Sequence, residues 1–351
     1  MSRRARARLY PIHDLPDHGI RALLEDPDNL RDLLEEAAPE LVPHLDFAHI
    51  RFVQRDFALE DWRERQNDVF LVIPYREPGR RPLLICILIE HQSSVDPAMP
   101  LRMFVYAVLY WEKRWKSWEK RKPRPRQLRL PTVLGVVFYT AAAPWNGPRC
   151  IEEMLDGPEV LVQGSPHWQL RFVELRNRQP EEWVEDPRPW WTTMAVLRGE
   201  RLGTARFRQV FGRALQRLQA VQPKDRVRWE ELMRFAIALG QRRREAGEQE
   251  ALREVALDSQ EDVARRRRVA SMWNVIKGSW EEDVLKRGEA RGLVQGELKA
   301  RRDDLEFMLA DRFGPLPETL LAQLRQVNDP ERLRTALRQV PRLHDLSELR
   351  L

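Results

Sequence analysis

The apolar positions along the chain change period several times, and each change predicts a different element. Between residues 13 and 40, Leu23, Leu24, Leu30, Leu33 and Leu34 recur at helical spacing, with Pro27 and Pro39 as punctuation. This segment is expected to be helix. A short extended or mixed stretch follows over 47–59. Residues 69–75 and 83–90 are then near-continuous runs of Val, Ile and Leu with little alternation, the pattern of strands covered on both faces. Their connector contains Pro78-Gly79, a turn signal, so an antiparallel hairpin is expected. Helical spacing returns from 99 to about 120 through Leu101, Phe104, Val105, Val108, Leu109 and Trp111, and Trp115 and Trp118 continue the series. Residues 132–139 read as a third buried strand and 168–175 as a fourth.

After about residue 197 the strand signals stop. Segments 206–220 and 230–241 read as amphipathic helices. Residues 242–268 are dense in charge and include Arg265-Arg266-Arg267-Arg268, which reads as a charged helix face ahead of a DNA contact. Gly288, Gly292 and Gly296 recur at every fourth position. Each costs about 1 kcal/mol of helix propensity, but together they make a narrow stripe that lets two helices approach. A homo-oligomer formed through the C-terminal helices is the partner this stripe suits. The tail, 305–351, is expected to hold two helices broken at Phe313-Gly314-Pro315-Leu316-Pro317. The order helix, hairpin, helix, strand, strand, then helices alone predicts an α/β fold: a small mixed β-sheet flanked by helices, followed by a mostly helical C-terminal region.

Composition narrows the function classes. At 351 residues the chain exceeds one average domain. A net charge of +6 is modest support for a polyanionic partner such as DNA. The basic residues are mostly arginine, which suits bidentate phosphate contacts but also follows from a GC-rich genome. The two cysteines, Cys86 and Cys150, lack metal-ligand spacing, and a reducing cytoplasm fits them. The basic start, 2–8, is not followed by an apolar core, and no apolar run approaches the roughly 20 residues that span a bilayer. A cytoplasmic protein with no membrane partner is expected.

The candidate chemistry lies at two strand ends. Glu90-His91-Gln92 closes the second apolar run, and Asp68 stands at the head of the first. An unpaired carboxylate removed from water costs several kcal/mol or neutralises itself. Two carboxylates brought together at strand ends are stable mainly with a divalent cation between them. Residues two apart on a strand share a face, so Glu90 and Gln92 are expected to project together, with His91 opposite as a packed core histidine. Hard oxygen ligands with two carboxylates suit Mg2+ (or Mn2+). The plainer reading is that Asp68 and Glu90 are solvated strand caps. Glu60 and Glu64, on an expected helix, are candidates for a third carboxylate, and Asp14 of His13-Asp14 for a helix cap. Residues 113–129 collect nine Lys/Arg against the single acid Glu119. Lys113, Arg114, Lys116, Lys120, Arg121 and Lys122, interleaved with Trp115 and Trp118, are expected either to bind DNA phosphates and stack on bases or to form a solvated loop. Trp190-Trp191 are expected in the core.

Several blocks resemble a known family. They are His13-Asp14, Asn67-Asp68-Val69-Phe70, Leu88-Ile89-Glu90-His91-Gln92-Ser93-Ser94, Met99-Pro100-Leu101-Arg102 with Tyr106, Leu130-Pro131-Thr132-Val133 and Pro144-Trp145. Together they resemble the YhgA-like family of recombination-promoting nucleases and transposases, within the PD-(D/E)XK nuclease superfamily. The resemblance implies a restriction-endonuclease-like core and a metal-dependent DNA endonuclease tied to recombination or mobile elements. It makes Asp68 and Glu90 the metal ligands, and puts Gln92 where the superfamily has lysine. Gln92 can place water by hydrogen bonding but supplies no cation. The chain departs from the family pattern at Thr140-Ala141-Ala142, where an Asn-Gly turn is expected, and at 15–20, where an early phenylalanine is missing. The tail from about Gly288, with Asp311-Arg312-Phe313-Gly314, resembles a small helical domain of unknown function. The expected organisation is a nuclease-like domain at 10–215, a helical charge-rich connector at 216–287 and a helical domain at 288–351. The alternatives are a catalytically weak or inactive DNA-binding or interaction protein on the same fold, and a toxin-like defence nuclease.

Overall fold

The structure, a computed structural model, describes residues 15–52, 69–77, 83–90, 95–120, 129–221, 225–327, 329–343 and 345–349, with the backbone alone for 83–90, 280–297 and positions 299, 311, 319, 325, 330, 342 and 347. The chain divides into two compact units, Met1–Lys277 and Gly278–Leu351.

The first unit is built on a five-stranded sheet in the order β1 (Arg51–Phe52), β2 (Val69–Ile73), β3 (Leu83–Glu90), β4 (Val133–Tyr139) and β5 (Arg171–Glu174). The expected hairpin is present: β2 and β3 are antiparallel, with Val69 opposite Ile87 and Ile73 opposite Leu83. The sheet then changes sense, because β3–β4 and β4–β5 are parallel. A parallel pair needs a crossover, and α3 (Met99–Glu119) supplies the one between β3 and β4. The fourth expected strand is narrower than 168–175, since only Arg171–Glu174 pairs as a strand while Gln169 makes a single bridge to Cys150.

All five residues of β2 are buried, as expected for a strand covered on both faces. One face of the sheet meets α3: Phe70 and Tyr106 pack edge to face at 5.0 Å, in a core with Met99, Met103, Val137 and Tyr139. On the other face Phe138 lies 6.0 Å from both Trp190 and Trp191. Those tryptophans are fully buried, as expected, on α6 (Pro189–Gly199), preceded by the short helices α4 (Glu159–Gln163) and α5 (Pro180–Glu185).

The helical stretch 13–40 resolves into two helices, α1 (Leu15–Leu23) and α2 (Pro27–Ala37). The break has a local cause. Pro27 has no N–H and sits at the first turn of α2, while the Asp26 carboxylate accepts from the backbone N–H groups of Asp28 (2.9 Å) and Asn29 (3.3 Å).

Helices α7 (Thr204–Leu218), α8 (Arg226–Arg242) and α9 (Ala246–Asp258) pack within the first unit, so much of the stretch expected as a connector contributes core. Trp229, Leu232 and Met233 are fully buried. A polar tie joins α8 to α2. The Arg228 guanidinium donates to Asn29 Oδ1 (2.9 Å) and Asp32 Oδ2 (2.7 Å), and Asp32 also accepts from the Trp190 backbone N–H (3.3 Å). Burial pushes the Asp32 carboxyl up to about 6, against the pull of Arg228.

The boundary between units falls within α10 (Val263–Phe313). In its first part Arg265 pairs with Asp262 (3.0 Å) and Arg268 with Glu230 (3.0 Å), as a charged helix face would. The glycine stripe Gly288–Gly292–Gly296 lies on helical backbone. In the second unit, helices α11 (Glu318–Gln326) and α12 (Pro330–Gln339) close over Leu305 and Leu309, so the tail carries two helices after the break and not one. The break is placed by Gly314, whose φ of +79° lies in the left-handed region that ends helices.

Three outcomes follow for stability. Arg228→Met strands Asp32 without its cation and is expected to cost about 3–5 kcal/mol in urea unfolding of the full chain; a loss under about 1 kcal/mol counts against the tie. Because the folded Asp32 carboxyl lies above its ordinary value of 3.8, the stability of wild type relative to Asp32→Asn should fall as pH rises from about 4 to about 6. A flat difference over that window removes Asp32 as the titrating group. Gly314→Ala should cost about 1 kcal/mol or slightly more, read by thermal denaturation, with Gly314→Asn milder.

Candidate active site

Of the expected site residues, Asp68, His91 and Gln92 lie outside the described residues, as do Asp14, Glu60, Glu64, Arg121 and Lys122. Glu90 is placed by its backbone as the last residue of β3. The described part of β2 begins at Val69, directly after Asp68 in sequence, and Val69 stands opposite Ile87, three residues before Glu90. The antiparallel pairing therefore brings the start of β2 to the finishing edge of β3.

The parallel pairing extends that edge. Glu90 is level with Tyr139, and Tyr139 with Glu174, so the three Cα atoms form one row across the carboxyl ends of β3, β4 and β5. At a strand spacing of about 4.8 Å, Glu90 and Glu174 are about 10 Å apart along the row. Open α/β sheets bind ligands at their carboxyl edge, and this row lies there.

The surroundings of the row are built from the blocks singled out in the sequence. Asp96 stands just ahead of α3, where one oxygen accepts from the Ala98 backbone N–H (3.0 Å) and the other takes Arg102 Nη1 (2.6 Å). Arg102 is buried, and its Nε has no hydrogen-bond partner among the described residues. Met99 is core, Pro100 occupies the first turn, and Leu101 is exposed, which gives each residue of the Met-Pro-Leu-Arg block a distinct role. Beyond β4, Trp145 packs edge to face on Tyr139 (5.3 Å) and against Phe172 (5.1 Å), and its indole N–H donates to the Gly147 carbonyl (2.8 Å). Gly147 leaves no room for a side chain, since a Cβ there would meet Val95 at 2.5 Å. The Thr140-Ala141-Ala142 departure is part of this packing, because Ala141 is buried in the same core.

The row ends in an ion pair that sequence reading missed. The Glu174 carboxylate is buried and bonded to Arg149 Nη2. The Arg149 guanidinium lies 4.5 Å over the Phe172 ring, and its backbone N–H donates to Glu153 Oε2 (2.8 Å). The only trace in the sequence was an acid at the end of the last short strand, in the same position that drew attention to Glu90. Next to it, burial pushes the Cys150 thiol above its ordinary value, which makes it a poor nucleophile.

The basic run is elsewhere. Helix α3 starts beside the row and is 21 residues long, so Lys113 to Lys120 lie about 20–30 Å along its axis from Met99. Trp111, whose indole N–H donates to the Pro131 carbonyl (2.8 Å), clusters with Tyr110, Val72 and Val133 at the far edge of the sheet, where β4 begins. The described basic side chains are exposed; Lys116 pairs with Glu112 (2.8 Å), and Arg114 folds back to the Tyr110 hydroxyl (2.8 Å). The structure does not bring this run together with Glu90. No group of three or more His, Cys, Asp or Glu fit to hold a metal occurs among the described residues. Nor is any helix among them long and apolar enough to cross a membrane.

No solved structure matches the chain. One protein family does, with the description "Putative transposase, YhgA-like", and that description suggests a mobile-element-related function. The match runs over residues 15–226, which include the five strands of the described residues, the row Glu90–Tyr139–Glu174 and helix α3, so the chain belongs to the YhgA-like transposase family.

Proposed function

We propose that the protein is a metal-dependent DNA endonuclease of the PD-(D/E)XK type, with a restriction-endonuclease-like core. The observation that carries this reading is the strand register: it sets the end of β3, at Glu90, beside the start of β2 and in line with the ends of β4 and β5. Such an edge suits a site for a phosphodiester, because side chains from several strands can converge there without breaking the sheet.

In this reading Asp68 and Glu90 hold Mg2+ (or Mn2+), for which their hard oxygen donors are suited. A bound divalent cation would stabilise charge on the scissile phosphate and lower the pKa of water. Gln92 orients the attacking water through its side-chain amide, which can accept and donate at once. Its neutral amide leaves the site short of one positive charge relative to a lysine. That shortage is the reason to keep a second reading, a DNA-binding protein of the same fold that cuts weakly or not at all. Lys113, Arg114, Lys116 and Lys120, with Arg121 and Lys122, would then serve DNA held along α3, away from the row.

The test uses supercoiled plasmid and Mg2+ with the full chain, beside Asp68→Ala, Glu90→Ala and an EDTA control. Nicking by wild type is expected to fall by about 100-fold or more in each variant and to stop in EDTA. Equal nicking by wild type and Glu90→Ala would sink the assigned site. Binding without cleavage under Mg2+ and Mn2+ would favour the second reading.

A further inference from the structure

We infer that Arg149, oriented by Glu174, is the phosphate-binding cation at the carboxyl edge of the sheet. The inference rests on the endonuclease reading for the identity of the ligand, a DNA phosphate, but its geometry stands independently.

Glu174 closes the row that begins at Glu90, and its side chain is only 8% exposed. A buried carboxylate is costly unless it is paired, and its partner is Arg149 alone among the ion pairs of the described residues. The pair is asymmetric. Glu174 is enclosed, whereas the Arg149 side chain is 44% exposed. Glu174 takes Nη2, and among the described residues the guanidinium makes no other hydrogen bond. The Phe172 ring, 4.5 Å beneath the guanidinium, holds its plane. An arginine with one edge anchored by a carboxylate and the other open to solvent is set to receive a phosphate, since its fork matches two phosphate oxygens.

Position adds the second argument. Gln92 supplies no cation, and the basic run of α3 lies about 20–30 Å from that helix's start by its length. Arg149 instead is bonded to the third residue of the Glu90 row. Glu174 is thus a positioning residue and Arg149 the group that touches substrate. The backbone that carries the arginine is held as well, by the Leu170 N–H to Arg149 carbonyl bond (3.4 Å) and by the Cys150–Gln169 bridge.

The experiment measures binding of a fluorescent DNA duplex across a salt series in EDTA, and single-turnover nicking in Mg2+, using full-length wild type, Arg149→Gln, Arg149→Lys, Glu174→Gln and Glu90→Ala. Arg149→Gln should weaken binding about 5- to 10-fold and reduce the magnitude of the salt slope by about 1, the loss of one phosphate contact. Arg149→Lys should keep the slope. Glu174→Gln keeps the arginine but loosens it, so nicking should slow while the slope holds. The double variant Arg149→Gln/Glu174→Gln removes both charges together, so it keeps the test valid if Arg149→Gln alone does not fold. A folded Arg149→Gln, or that double variant, with unchanged slope overturns the inference, as does a wild type that binds no DNA. The two readings separate cleanly. A slope change at Arg149 with equal nicking by wild type and Glu90→Ala removes the Glu90 assignment and keeps the arginine; the reverse pattern removes the arginine and keeps Glu90.

Discussion

β3 is hydrogen-bonded on both sides, antiparallel to β2 and parallel to β4, and the register of those two ladders decides what can meet at the edge of the sheet. Side chains alternate with a period of two along a strand, so a slip of one residue would exchange the faces of β3. It would also break the row in which Glu90, Tyr139 and Glu174 stand level. Slippage is opposed by packing on both faces. Phe70 and Tyr139 are buried in the core that α3 covers, and Phe138 is held by the tryptophans of α6. Apolar residues on both surfaces leave no face on which a misregistered strand could expose itself cheaply.

The change from antiparallel to parallel pairing at β3 has a second effect. It requires α3 to carry the chain back along the sheet, and a helix of that length separates its two ends by about 31 Å. The start of α3, with Asp96 and Arg102, is beside the end of β3, while its basic end lies by Tyr110, Trp111 and the start of β4. Charge that is contiguous with a site in sequence is thereby moved away from it, and charge from a later segment, at Arg149, is brought to the row. The same logic operates in the rest of the first unit. Arg228, two residues past the end of the family match, reaches back to Asn29 and Asp32 and fastens α8 to α2 beneath Trp190.

Much of this architecture was legible from the chain. Continuous apolar runs at 69–75 and 83–90 with Pro78-Gly79 between them predicted the hairpin, and helical spacing predicted α3, α7 and α8 to within a few residues, while α9 and the length of α10 went unread. These features are local: a strand covered on both faces must be apolar throughout, and a capped helix declares its start. The split of 13–40 at Pro27 was visible as punctuation but not as a break, because whether a proline opens a new helix depends on the cap before it. The connector expected at 216–287 looked separate because it is rich in charge, yet Trp229, Leu232 and Met233 show that its apolar face is core. Charge density describes one face of a helix and says nothing about the other.

By itself the sequence determined most of the element types, the acid at the end of β3, the neutral amide two residues later and the membership of the YhgA-like transposase family. Only the tertiary structure decided which charged residues share an edge. Glu90 and Glu174 are separated by 84 positions in the chain, and no local pattern links them; parallel hydrogen bonding through Tyr139 does. The same holds for Arg149, an ordinary surface arginine in sequence. The fold sets it apart by pairing it with a buried carboxylate, whose one ion-pair partner among the described residues it is.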